Sequence, residues 1–397
     1  MSESNIKTPE ACNDFTEIQP YNDQQFKEKL EKLIAEPGFE HAVRYVMPDV
    51  DYPEFARHLM TMETQKDFQT NVMGPFLELL VARTTHGLSC DGLENYDPSK
   101  SYTFITNHRD IVLDASFLNL CFIRANKPLT QVAIGNNLLI YEWITDLVKI
   151  NRSFIVKRNT GMREALEAAK KLSAYIHYAI NEMHESVWIA QREGRAKDSS
   201  DRTQDAVIKM LSLAGDGDSK HNLKQLNILP IAISYEYDPN DYLKVREFLL
   251  KRRDPDYKKT QHDDLFSMET GLLNQKGRVH FRLGKPVNDE IEAFEGEGRA
   301  EVVRHTCEAI DREIHCGYYL YPCNYIAFDE IEGSGEYADK YTAADVDEFN
   351  AYIEKQLQKV DIADITDEER EFMRRSVLGM YANPVRNQRD AAAMCLR

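Results

Sequence analysis

Between residues 100 and 286, six short apolar runs alternate with stretches of helical period, and that alternation leaves few folds open. The runs are YTFIT (102–106), QVAIG (131–135), SFIVK (153–157), SVWIAQ (186–191), LNILPIAISYE (226–236) and RVHFRLG (278–284). Between them lie DASFLNLCFIRAN, LLIYEWITDLVKI, GMREALEAAKKLSAYIHYAINEM, DRTQDAVIKMLSLAG and NDYLKVREFLLKRR, each with apolar residues at helical spacing. The third places Ala165, Leu166, Ala169, Leu172, Ile176 and Ile180 on one face, with Thr160 positioned to cap it. Strands that alternate with helices predict an α/β unit, a mostly parallel sheet flanked by helices on both faces.

The flanks read differently. Residues 1 to about 20 read as a flexible lead, and 24–84 have helical periodicity throughout. The expected organisation is a helical N-terminal unit (1–84), an α/β domain (85–290) and an acidic helical C-terminal region (291–397). The acid is concentrated at the end. From residue 287 onward 25 Asp and Glu face 12 Lys and Arg, a net −13, which leaves −4 of the total −17 for everything before it. A chain this acidic is no partner for a phosphate backbone, so nucleic acid is not expected. Basic islands do occur in the middle, at 149–171 and at KVREFLLKRRDPDYKKT (244–260), where an anionic ligand or an anionic membrane surface would be met.

No apolar run approaches the roughly 20 residues of a spanning helix, and the N-terminus lacks the plan of a secretory signal. Seven scattered Cys without CxxC pairs suit reduced thiols and a cytoplasmic location, and with no anchor encoded, membrane contact is expected only as peripheral contact at the inner face. His305, Cys307, His315, Cys316 and Cys323 cluster, but their spacing matches no zinc pattern, so no metal is expected.

In a wound parallel sheet, ligands bind beyond the carboxyl ends of the strands. Three chemistry-bearing segments fall there. TNHRDIVLD sets His108 after the first run, with Asp110 and Asp114 following. A His held in one tautomer by an Asp can take the proton of an alcohol that attacks an acyl carbonyl. The same letters also fit a satisfied turn residue and a helix cap at Asp114. SFIVKR ends in Lys157 and Arg158, and WIAQREGRAKDSSDRTQ passes through Arg192, Glu193, Gly194, Arg195 and Lys197 to a helix that Ser200 or Asp201 would cap. Guanidinium and ammonium groups beside a glycine suit a phosphate.

In order, spacing and strand context these segments resemble the motif blocks of the glycerolipid acyltransferases, the glycerol-3-phosphate and 1-acylglycerol-3-phosphate acyltransferases. NHRDIVLD is similar to their first block through Asn107, His108 and Asp114, and SFIVKR to the second through Phe154, Ile155 and Arg158. WIAQREGRAK resembles the third through Gly194, Arg195 and Lys197, ILPIAIS the fourth through Pro230, and LGKPV (283–287) the closing Gly-x-Pro. The likeness spans about residues 85–290, with two departures. Five residues, not four, separate His108 from Asp114, and the third block is one residue short between Glu193 and Arg195.

The resemblance implies acyl transfer from an acyl carrier protein or coenzyme A thioester to the hydroxyl of glycerol-3-phosphate or its monoacyl product. It implies a catalytic His108 oriented by Asp114, phosphate contacts from Arg158, Arg195 and Lys197 with Lys157 and Arg109, and support from Asn107, Glu193 and Gly194. No cofactor beyond the thioester co-substrate is implied. The competing expectations are a catalytically silent relative that binds an acyl carrier or lipid, and a thioester hydrolase. No GxSxG elbow is present for the latter.

Overall fold

The computed structural model describes residues 14–158, 161–296 and 298–395. All six predicted runs form strands, and a seventh precedes them. The strands are β1 (Leu88–Asp91), β2 (Thr103–Thr106), β3 (Gln131–Gly135), β4 (Ser153–Val156), β5 (Val187–Ala190), β6 (Ile228–Tyr235) and β7 (Val279–Leu283). They build one sheet in the order β1-β7-β6-β2-β5-β3-β4. Strands β2 to β6 run parallel, β7 pairs antiparallel with β6, and β1 pairs parallel with β7 at the edge. The expected mostly parallel sheet flanked by helices is therefore the fold.

Successive strand side chains enter opposite layers, as the pleat requires. Phe104 and Trp188 join the layer that holds helix Leu113–Arg124, while Ile105 and Ile189 join the layer that holds helix Met162–Asn181. All eight residues of β6 are buried, and Pro230 sits one residue before the antiparallel pairing with β7 begins at Ile231. On helix Met162–Asn181 the core face is Leu172, Ile176 and Ile180, whereas Leu166 is 50% exposed, so the apolar stripe starts later than its spacing predicts. Thr160 lies outside the described residues.

Residues 15–18 are not a free lead. Phe15 and Ile18 are buried, Phe15 meets Tyr175 edge-on with centroids 5.3 Å apart, and the Ile155 N–H donates to the Ile18 carbonyl at 2.8 Å. The N-terminal helices pack around Phe26, Leu30, Phe39 and Phe68, and Ile150 from the α/β region enters the same cluster. At the other end, helix Arg299–Cys316 packs under the sheet through Val303, Ile310 and Ile314. Helices Pro322–Glu332, Ala343–Leu357 and Asp367–Cys395 gather instead over helix Asp241–Arg253, around Val245, Leu249, Phe349 and Tyr381.

The acidic end meets the basic segment 244–260 directly. Arg252 pairs with Glu368, and Arg253 grips Glu369 at 2.7 Å. Lys244, Arg246, Lys251 and Lys259 also have carboxylate partners, so six of its seven cations are engaged internally. In the same interface Asp241 accepts from the hydroxyls of Tyr352 (2.6 Å) and Tyr381 (2.9 Å). Burial pushes its carboxyl from an ordinary 3.8 up to about 6, against the opposing pull of those tyrosines. The folded chain thus holds this proton more tightly than the unfolded one, so between about pH 4 and pH 6 unfolding releases it and stability falls as pH rises. Asp241→Asn is expected to lack that falling component. Urea midpoints measured across the window check this, and equal slopes for variant and parent would contradict it.

Candidate active site

Strand β2 ends at Thr106, and the chain turns at once around the carboxylate of Asp114, which stands in the first turn of helix Leu113–Arg124. Asp114 is fully buried and accepts four hydrogen bonds. His108 Nδ1 lies 2.8 Å from Oδ2, the backbone N–H groups of Arg109 and Asp110 reach the same oxygen at 2.6 and 3.1 Å, and Tyr235 Oη donates to Oδ1 at 3.0 Å. Burial and the neighbouring carboxylates push the Tyr235 phenol well above its ordinary range, so it stays a donor. With Nδ1 given to Asp114, His108 presents Nε2 to the cleft, the arrangement of a general base. Trp188 meets the imidazole edge-on at 5.8 Å and limits its rotation.

Asp114, not Asp110, is the partner of His108, and Asp110 closes the turn between them. Its Oδ1 accepts from the N–H groups of Val112 (2.9 Å) and Leu113 (2.8 Å), an Asx-type turn. Its Oδ2 accepts from Asn240 at 3.0 Å. Burial first, and then Asp114 beside it, push the Asp110 carboxyl up, while Arg195 acts in the opposite sense. Asn107 is buried and stitches β2 to β6: its Nδ2 donates to the Ile233 carbonyl (2.9 Å) and its Oδ1 accepts from the Ile233 N–H (2.8 Å).

The carboxyl ends of β2, β3, β4 and β5 open onto one cleft of about 890 Å³. Its lining includes His108, Lys157, Arg158, Arg192, Glu193, Gly194, Arg195 and Lys197, with apolar walls from Ile134, Val156, Leu172, Ile189 and Phe248. Three segments far apart in sequence thus meet at one rim. Arg158 lies across the end of β3, its backbone N–H donating to Asn136 Oδ1 at 2.9 Å. A Cβ on Gly135 would fall 3.0 Å from Arg158 Nε and 2.5 Å from Asn137 Oδ1, so glycine is what leaves the guanidinium its place. Gly194 adopts a left-handed φ of 68° with open space where a Cβ would stand. Glu193 is exposed, 3.8 Å from Arg158 Nε, and its backbone N–H donates to Gln204.

Not every expected cation faces the cleft unpaired. Arg109 is the clear correction: its guanidinium is buried away from the cleft in a bidentate pair with Asp201, at 2.8 and 2.5 Å. Lys157 is held by Glu17 at 2.5 Å, and Lys197 donates to Glu247, though both line the cleft. Arg192 and Arg195 have no carboxylate partner within ion-pair distance among the described residues, and each keeps a buried nitrogen without a hydrogen bond. Arg192 was not singled out by its sequence, where it reads as one basic residue of several.

The loop 192–204 is held from behind. Asp201, at a φ of 35°, caps no helix; helix Asp205–Leu211 follows Gln204 instead. Besides Arg109, Asp201 takes a hydrogen bond from Tyr318 Oη (2.5 Å), and His315 Nε2 donates to its carbonyl (2.7 Å). On the last helix, Asn383 donates to the Asp198 carbonyl at 2.7 Å, and Asn387 to those of Ser199 and Ser200 at 3.2 and 3.3 Å. The other His and Cys of that region have separate neighbours, with His305 stacked on Phe294 and Cys307 beside Asp205. Among the described residues no three His, Cys, Asp or Glu side chains are grouped to hold a metal ion. No helix among them is long and apolar enough to cross a membrane.

No protein-family model matches this chain, and no curated protein matches it. Among solved structures it is similar to the 1-acyl-sn-glycerophosphate (LPA) acyltransferase PlsC from Thermotoga maritima, at 12% identity and a TM-score of 0.35. That likeness covers 72% of this chain and 92% of the other.

Proposed function

We propose that the chain is an acyltransferase that moves a fatty acyl group from a thioester to the hydroxyl of a phosphorylated glycerol. The observation that carries the reading is the His108–Asp114 pair opening onto the same cleft as Arg158, Arg192 and Arg195. His108 Nε2 takes the acceptor's hydroxyl proton as the oxygen attacks the thioester carbonyl. Asp114 keeps the ring in the required tautomer and stabilises the imidazolium. The arginines hold the acceptor's phosphate and thereby its hydroxyl beside the His, a positioning effect that can be worth several kcal/mol. The apolar walls suit an acyl chain. As the tetrahedral adduct collapses, the thiolate leaves and recovers the proton from His108.

Glycerol-3-phosphate and its monoacyl product are the proposed acceptors, in a cytoplasmic setting of phospholipid synthesis. Contact with a membrane through 244–260 would draw on cations that mostly have carboxylate partners, two of which, Lys251 and Lys259, face the cleft. An assay offering both acceptors with acyl-coenzyme A and acyl-carrier donors tests the reading. Acylated acceptor is the expected product, and thioester loss without it would replace transfer by hydrolysis. Arg195→Ala is expected to raise the acceptor KM by about 10- to 100-fold, the loss of a charge-assisted contact to phosphate. An unchanged KM would remove Arg195 from the phosphate site.

A further inference from the structure

The cleft holds more cations than one phosphate requires, and they form two sets. Arg158, Arg192 and Arg195 stand on the strand-end loops. Lys197, Lys251 and Lys259 instead gather around one carboxylate, Glu247. Lys197 donates to its Oε1, Lys251 Nζ lies 3.0 Å from the same oxygen, and Lys259 Nζ lies 3.6 Å from Oε2. Glu247 is only 4% exposed, and its Oε2 makes no hydrogen bond among the described residues. Lys259 is also 3.3 Å from Asp264, so three ammonium groups face two carboxylates. All three lysines line the cleft.

A carboxylate buried among lysines holds their stems in place before any ligand arrives, which lowers the ordering cost of binding. The surplus charge then faces the cleft from helix Asp241–Arg253 and from the approach to helix Gln261–Leu273. At about 890 Å³ the cleft is large for a phosphorylated glycerol alone. Lysine ammonium groups are mobile point charges, suited to phosphate groups presented at several angles.

We infer that Lys197, Lys251 and Lys259, marshalled by Glu247, form a second anion subsite that takes the phosphate groups of a coenzyme A-type thioester donor. This rests on the acyl-transfer reading, with the arginine set left to the acceptor. Glu247 is then a positioning residue, and Phe248 beside it belongs to the wall along the donor.

The test is calorimetric titration of the full chain with coenzyme A, with dephospho-coenzyme A and with glycerol-3-phosphate, in the parent and in K251Q/K259Q. The coenzyme A Kd is expected to rise by about tenfold in the double variant, with the glycerol-3-phosphate Kd within about twofold. The parent is expected to favour coenzyme A over its dephospho form. No coenzyme A binding by the parent, an unchanged Kd in the variant, or an equal loss for both ligands would overturn the subsite. Should the double variant misfold, K251Q alone, at a half-exposed side chain, is expected to lose about threefold. Transfer is measured separately. A parent that binds coenzyme A through these lysines but transfers nothing would sink the acyltransferase and leave the subsite standing. A parent that transfers, with the lysine variants indifferent in binding, would do the reverse.

Discussion

Replacing His108 by Ala is expected to lower kcat for acyl transfer by about 10²- to 10⁴-fold, the range that a positioned general base contributes. The fold should survive, because Asp114 keeps three of its four donors: the N–H groups of Arg109 and Asp110 and the Tyr235 hydroxyl. Circular dichroism and the denaturation midpoint of His108→Ala should match the parent while turnover collapses. Asp114→Asn should behave otherwise. An amide keeps one accepting oxygen where the carboxylate had two, and it loses the charge that stabilises the imidazolium, so stability and turnover fall together. Full turnover in His108→Ala would end the general-base assignment, whatever the fate of the aspartate.

The second large effect is expected at a residue outside the cleft. Asp201→Ala leaves the Arg109 guanidinium buried without its bidentate partner, and removal of one member of such a pair costs about 3–5 kcal/mol. It also frees Tyr318 and the loop that carries Arg195. Chemical denaturation measures the loss, and a midpoint close to the parent's would mean that the pair does not anchor the loop. Arg109→Lys should recover only part of the stability, since an ammonium cannot reproduce the two-pronged contact.

The sheet was legible because each strand is a short apolar run bounded by turn residues, and all six predicted runs pair as strands. Strand β1 was not. Its four residues, LSCD, alternate between half-buried and exposed at the sheet edge, and they sit between Gly87 and Gly92 in what reads as a break. The reversal at β7 was also hidden, since an antiparallel partner has no signature in a run of five residues. At the candidate site, His108, Arg158 and Arg195 were legible as chemistry-bearing residues at strand ends, whereas the choice of Asp114 over Asp110 came from the resemblance. What a cation faces is decided by residues far along the chain, which is why Arg109 and Arg158 look alike in sequence. One is locked to Asp201, 92 positions later, and the other lines the cleft. Tyr235 was legible as part of a strand, but only the turn around Asp114 gives its hydroxyl a partner.

The grip of Asn383 and Asn387 on residues 198–200 crosses nearly half the sequence. During synthesis the sheet can be complete, with His108 already seated against Asp114, while the cation loop still waits for a helix the ribosome has yet to release. A chain stopped short of that helix would keep the His108–Asp114 contact, while residues 198–200 would lose three hydrogen bonds.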